Sequence, residues 1–233
     1  MAGKIDRGFS LVELLVALTI MSLTVLIGSY AYSTFSNKWG QDLGRFNQSF
    51  YKAKQNALMP RLMRGIFPYV VENTTGNARI YFEGNSDGFV GVVQNAMFDV
   101  STPAVVRFSV NQDPNFSYSL TYEEWLMYRE VFISLEQDFD FTHQFIVLDG
   151  YSDIQFEYFG WYSNEVKARE ISAPIGEKDR GWYRNYNSLE KGLLPEKIKV
   201  ILSNGDKKTH WEFALVDQHP KWLLWNDGRN DDI

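Results

Sequence analysis

Between Phe9 and Asn37 a single side chain, Glu13, is charged at neutral pH. A carboxylate carried into a membrane helix costs roughly 2.5–3.5 kcal/mol at mid-bilayer and less near an interface, so such a residue calls for a cationic partner. Glu13 also stands three residues after Ser10, the S-x-x-E spacing of a helix capping box. Capping alone explains neither the Gly8-Phe9 junction nor the uncharged run that follows. Elsewhere, His143, His210 and His219 form no H-E-x-x-H pair and no ligand pair at helical spacing. The chain has no G-x-S-x-G elbow, phosphate loop or dinucleotide fingerprint. Glu123-Glu124 and Glu136/Asp138/Asp140 could supply a hydrolase dyad, but acids on strand and loop surfaces are ordinarily solvated. Asn226–Asp232 is oxygen-rich like a calcium loop, yet lacks the D-x-[DN]-x-[DN]-G spacing and the closing glutamate. No catalytic residue, metal site or cofactor is expected.

The element that must carry Glu13 is a long helix. Phe9–Tyr30, at about 1.5 Å per residue, makes roughly 33 Å of helix, enough for a bilayer core of roughly 30 Å. The run continues through Ala31, Tyr32 and Phe35 with no A-x-A site, unlike a cleavable secretory signal. Lys4 and Arg7 precede it, which leaves the short amino end in the cytoplasm and sends the rest outward. Beyond it, Trp39, Leu43, Phe46, Phe50, Ala53 and Ala57 recur at spacings of four and three. This apolar stripe is expected to pack on a sheet of the same chain, with Pro60 as the stop.

After Pro60 the pattern turns to period two. Strands are expected at Pro68–Glu72, Arg79–Glu83, Phe89–Gln94, Val105–Val110, Tyr118–Tyr122, Phe132–Leu135, Phe145–Leu148, Ile154–Tyr158, Lys197–Leu202 and Lys208–Leu215. Asn204-Gly205 between the last two is the strongest hairpin signal. Ser163–Gly192 reads as a long connection. With 233 residues, 45% hydrophobic and 16% aromatic, the chain can bury a core. A net charge of −6 argues against nucleic-acid binding, and the absence of cysteine excludes disulfides, thiolate metal sites and a cysteine nucleophile. Of the tryptophans Trp125, Trp161, Trp182, Trp222 and Trp225, any left unburied would mark a protein contact.

Gly8-Phe9-Ser10-Leu11-Val12-Glu13-Leu14-Leu15-Val16-Ala17-Leu18 resembles the class III signal of type IV pilins and type II secretion pseudopilins. The resemblance implies a leader of residues 1–8, cut by a prepilin peptidase between Gly8 and Phe9, with N-methylation of Phe9. Glu13 then occupies the fifth mature position, where the family keeps a glutamate. The implied fold is α+β: a membrane-spanning and stem helix over 9–59, packed on an antiparallel β-sheet head over 60–233. In a helical polymer the Glu13 carboxylate would neutralise the terminal amine of a neighbour. Either ion alone is costly in low dielectric, so the pair would favour one axial stagger. Thr24 and Gly28, four residues apart, would let helices approach closely.

The head's order of features is similar to J-type minor pseudopilins: Glu83–Phe89, Leu148-Asp149-Gly150 before Ile154–Tyr158, then Trp161, Gly181-Trp182 and Leu194-Pro195. Glu13 counts against the K-type. The implied role is structural and not enzymatic, at the tip of a secretion pseudopilus. Its partners would be other minor and major pseudopilins, the prepilin peptidase and secreted cargo. The implied location is the bacterial inner membrane, single pass, with the head in the periplasm. A minor pilin of a type IV pilus, including the mannose-sensitive haemagglutinin type, is the competing reading. A periplasmic enzyme or receptor with a simple anchor would need a deep polar pocket in the head.

Overall fold

The computed structural model describes residues 10–73, 75–128, 130–173 and 179–222, with side-chain detail outside 40–52 and 54–56. The chain divides into two compact units, Met1–Lys54 and Gln55–Ile233. One helix, α1 (Leu11–Arg64), begins in the first and ends in the second. It runs through Pro60 rather than stopping there. The helix end is held instead by burial: Met59, Leu62, Met63 and Ile66 are sealed into the core of the second unit. Of the expected stripe, Leu43, Phe46 and Phe50 lie outside the residues whose side chains are described. Among its described side chains, Trp39, Ala53 and Ala57 are exposed, because the buried register starts one turn later.

The second unit is antiparallel β with short helices. Its strands are β1 (Val70–Glu72), β2 (Ala78–Ile80), β3 (Phe82–Asn85), β4 (Gly88–Val93), β5 (Ala104–Gln112) and β6 (Tyr118–Leu126). They continue with β7 (His143–Tyr151), β8 (Asp153–Trp161), β9 (Arg180–Tyr183), β10 (Tyr186–Asn187), β11 (Lys197–Asn204) and β12 (Lys207–Ala214). Strands in the order β10-β3-β4-β5-β6-β7 form one sheet, β12-β11-β8-β9 a second, and β1-β2 a small ribbon. An α+β fold with an apolar amino-terminal helix and antiparallel sheets is therefore present, as the sequence pattern led us to expect.

The main core lies where the two larger sheets meet. Alternate residues Ile154, Phe156 and Tyr158 of β8 are buried, and Phe156 and Tyr158 pack edge-on to Phe89 and Phe82. The Tyr158 hydroxyl, buried away from water, donates to the carbonyls of Asn85 (3.0 Å) and Gly88 (2.6 Å) at the β3–β4 turn. That approach explains two glycines. A Cβ on Gly84 would lie 2.3 Å from the Tyr158 ring, and Gly88, at φ 143°, would put one 1.9 Å from the Phe108 carbonyl oxygen.

On the other face of the six-stranded sheet, Val92, Val105 and Trp125 are covered by residues 127–142. Phe132 of that segment packs against Tyr69, Tyr81 and Phe139. Phe132–Leu135, expected as a strand, makes only an isolated bridge through Ser134 to Glu72. Its Phe132 and Leu135 side chains serve as a cover over the sheet instead of pairing along it. The stretch expected as a long connection holds α2 (Asn164–Ser172), β9, β10 and α3 (Ser188–Lys191). Both helices are capped at their start. Ser163 Oγ accepts the Val166 N–H (3.4 Å) and Asn187 Oδ1 the Leu189 N–H (2.9 Å), while Gly192 closes α3 at φ 71°.

Candidate membrane and assembly site

Leu11–Trp39 is long and apolar enough to cross a membrane, by length and composition, and none of it is buried by the rest of the protein. Its large side chains face outward, including Leu14, Leu18, Leu23 and Ile27. Three threonine hydroxyls in the run are satisfied inside the helix. Thr19, Thr24 and Thr34 donate to the carbonyls of Val16, Ile20 and Tyr30 at 2.8, 2.8 and 2.9 Å. This back-bonding removes the cost of a bare hydroxyl in hydrocarbon. Beside Thr24 on the same face, Gly28 has no atom within 4 Å of where a Cβ would stand.

At the helix start, Ser10 Oγ accepts the backbone N–H of Glu13 at 3.2 Å, and the Ser10 carbonyl accepts the Leu14 N–H at 3.2 Å. Ser10 thus caps α1, as the S-x-x-E spacing suggests. The cap uses the Glu13 backbone and leaves its carboxylate exposed, with no ion-pair partner among the described residues. The acid sits in the first turn, where the helix dipole favours it. Gly8 and Phe9 lie outside the described residues, as do Trp225 and Asn226–Asp232.

The paired acids of β6 are accounted for by structure. Neighbours on a strand point to opposite faces, so Glu123 and Glu124 cannot act as a dyad. Glu123 takes a bidentate grip from Arg107, through Nε (2.6 Å) and Nη2 (2.9 Å), and that hydrogen-bonded carboxylate raises the guanidinium's pKa. Glu124 is fully buried and accepts from Met97 N–H (2.8 Å), Phe98 N–H (2.9 Å) and the Tyr122 hydroxyl (2.7 Å). Burial, reinforced by Glu124, pushes the Tyr122 hydroxyl far above the ordinary phenol range.

The histidines are dispersed. His143 packs against Phe98 with the rings tilted by 42°, His210 sits 4.0 Å from Glu212, and His219 Nδ1 accepts the Lys221 N–H. No group of three or more histidine and acid side chains is arranged to hold a metal among the described residues. Of the tryptophans singled out above, Trp125, Trp161 and Trp222 are half-buried, and Trp182 remains 38% exposed with the Lys199 ammonium 3.6 Å above its ring.

Two features were missed by sequence reasoning. Glu124 follows Leu120 and Tyr122 in the inward parity of β6, a pattern that alone would have placed it inside. Lys167 of α2 is buried, and its ammonium donates to Asp217 Oδ1 (2.8 Å) and the Gln218 carbonyl (2.5 Å), fastening the segment after β12. Nothing local in the sequence marks that pairing.

Residues 3–29 match the family described as the prokaryotic N-terminal methylation motif. The motif covers the amino end alone and supports a membrane-anchored, type IV pilin-like protein of the pilin and pseudopilin superfamily. Such a motif implies processing by a prepilin peptidase and assembly with other pilins, and the pilin-like family is structural. No curated protein matches the chain.

Proposed function

We propose that this chain is a structural minor pseudopilin, at the tip of a type II secretion pseudopilus, that helps to start filament assembly and export proteins. The observation that carries the reading is the methylation motif at residues 3–29, running into a helix whose apolar side chains are exposed and whose first-turn acid is unpaired among the described residues. In this reading the peptidase cuts between Gly8 and Phe9, and Phe9 is N-methylated. The carboxylate of Glu13 then meets the terminal amine of an adjoining subunit, and Thr24 and Gly28 face the neighbouring helix. The first unit anchors the protein in the inner membrane, and the second stands in the periplasm against other minor and major pseudopilins and the cargo.

The choice of a secretion pseudopilus is supported by the head. Glu83–Phe89 forms the β3–β4 hairpin, Leu148–Gly150 closes β7 ahead of β8, Gly181-Trp182 lies in β9, and Leu194-Pro195 leads into β11. That is the order of features on which the resemblance to J-type minor pseudopilins rests. Mass spectrometry of natively produced protein tests the processing step: the expected amino terminus is N-methylated Phe9, and a retained Met1–Gly8 would overturn the reading. Deleting the chain should stop export of type II substrates while leaving pilus number unchanged. The converse result would assign it to a type IV pilus.

A further inference from the structure

Large apolar side chains on a surface usually lie on mobile loops or are covered by a partner. Val100 and Phe98 are 56% and 51% exposed, yet the 94–102 turn that carries them is tied down from every side. Fully buried Glu124 holds the N–H groups of Met97 and Phe98. The Asp99 carboxylate accepts from the Ser101 and Thr102 hydroxyls (2.6 and 2.8 Å), Asn95 Nδ2 donates to the Val100 carbonyl (2.7 Å), and Ala96 N–H donates to the Thr102 carbonyl. Gln94 N–H donates to the Gly65 carbonyl just past α1 (2.9 Å), joining the turn to the helix end. A rigid loop that presents apolar groups to water is preorganised for association, since little order remains to be imposed.

Between this turn and the last turns of α1 lies a cleft of about 550 Å³, floored by Val93, Met97 and Val100. Arg61 and Arg64 line it from the helix. Both are exposed and neither forms an ion pair among the described residues. Two guanidiniums three residues apart stand on one helix face and present fork-shaped donors suited to carboxylates.

We propose that this cleft is a docking site for an acidic segment of a neighbouring pilin-like subunit, with its Asp or Glu gripped by Arg61 and Arg64 and one apolar side chain seated against Met97 and Val100. The proposal rests on the pilin-like reading above and adds the chemistry of the partner. A protein segment is favoured over a phospholipid headgroup because the cleft pairs its cations with an apolar floor held in fixed geometry.

The test uses the full chain in membranes of cells that produce it natively. p-Benzoylphenylalanine replaces Val100, the cells are irradiated, and crosslinked peptides are sequenced. The expected product joins Val100 to a pilin-like subunit beside an Asp or Glu. Arg61→Glu with Arg64→Glu should lower the yield about tenfold or more, because like charges now face each other. Lys in place of the partner's acid should restore it, and Lys208→Glu, exposed on β12, should leave it unchanged. With the crosslinker moved to exposed Ala57, Val100→Asp should cause a similar loss without touching the arginines. Crosslinks to phospholipid alone, no crosslink, or a yield indifferent to charge reversal would each overturn the cleft assignment. Amino-terminal analysis of the same sample separates the two claims. An uncut leader defeats the pilin-like reading, whereas a cut, membrane-held chain with charge-indifferent crosslinking defeats only the docking site.

Discussion

Glu13 and Glu124 are the same acid in two apolar settings, and the two units treat it in opposite ways. In the head, Glu124 is sealed from water and three donors of the same chain converge on it. On the amino-terminal helix, Glu13 is exposed, only its backbone is used by the Ser10 cap, and its carboxylate has no ion-pair partner among the described residues. A buried acid that is satisfied within its own fold belongs to stability. An acid left unpaired on a surface fit for lipid is costly until a cation meets it, the role proposed above for an adjoining subunit's amine. The difference separates two uses of one side chain: Glu124 is satisfied within the head, and Glu13 is left without an ion-pair partner among the described residues.

The largest expected effect that would break this contrast is on assembly. Glu13→Ala should remove the chain from filaments by some 3–5 kcal/mol, the usual cost of orphaning one partner of a buried ion pair, while thermal unfolding of the head stays where it was. Filament pull-down beside a melting curve checks both halves, and equal incorporation by the variant would end the distinction between the two acids. Next comes Glu124→Leu. It strands the Met97 and Phe98 amides and the Tyr122 hydroxyl and should cost the head about 3 kcal/mol or more in urea unfolding, with membrane retention intact.

Gly88→Ala follows: the strained φ alone should cost about 1–3 kcal/mol, and a Cβ 1.9 Å from the Phe108 carbonyl oxygen adds to that because backbone must shift; urea unfolding of the head checks it. The smallest effect concerns Asp217. Its hydrogen bond from Lys167 holds the carboxyl below its ordinary value of 3.8, so the native state binds its proton more weakly than the unfolded chain. The associated stability is present at neutral pH and fades as pH falls below about 4 through the depressed value. Asp217→Asn should remove that small contribution at pH 7, speeding amide exchange at residues 215–222 there, and should flatten the acid limb so that variant and parent converge below about pH 4.

Much of the architecture was legible because alternation is a local signal. Ile154, Phe156 and Tyr158 announce a half-buried strand, and Asn204-Gly205 marks the turn between β11 and β12, where Gly205 takes φ 58°. Features decided by distant partners were not. Phe132 follows no strand rule; it is placed by Tyr69, Tyr81 and Phe139. Pro60 was read as a stop because its ring forfeits a hydrogen bond, yet burial of Met59, Leu62 and Met63 around it outweighs that loss. The short helices α2 and α3 carried capping residues, Ser163 and Asn187, too close to charged neighbours for periodicity to show. At the candidate site, Glu13 stood out from composition alone, whereas the cleft beside Arg61 and Arg64 exists only because β6 brings Glu124 beneath a turn far away in sequence.

The segment after β12 has a consequence for the order of folding. Asp217 and Gln218 receive the Lys167 ammonium, the Pro220 carbonyl accepts from Asn164, Gln218 Oε1 accepts the Leu194 N–H, and the Trp222 indole donates to the Pro68 carbonyl, 154 residues back. A nascent chain therefore leaves the ribosome with a buried lysine, an amide and a carbonyl all waiting on its final stretch. The domain closes like a clasp, late, and a product ended prematurely at Ala214 would be unable to lock and open to proteolysis.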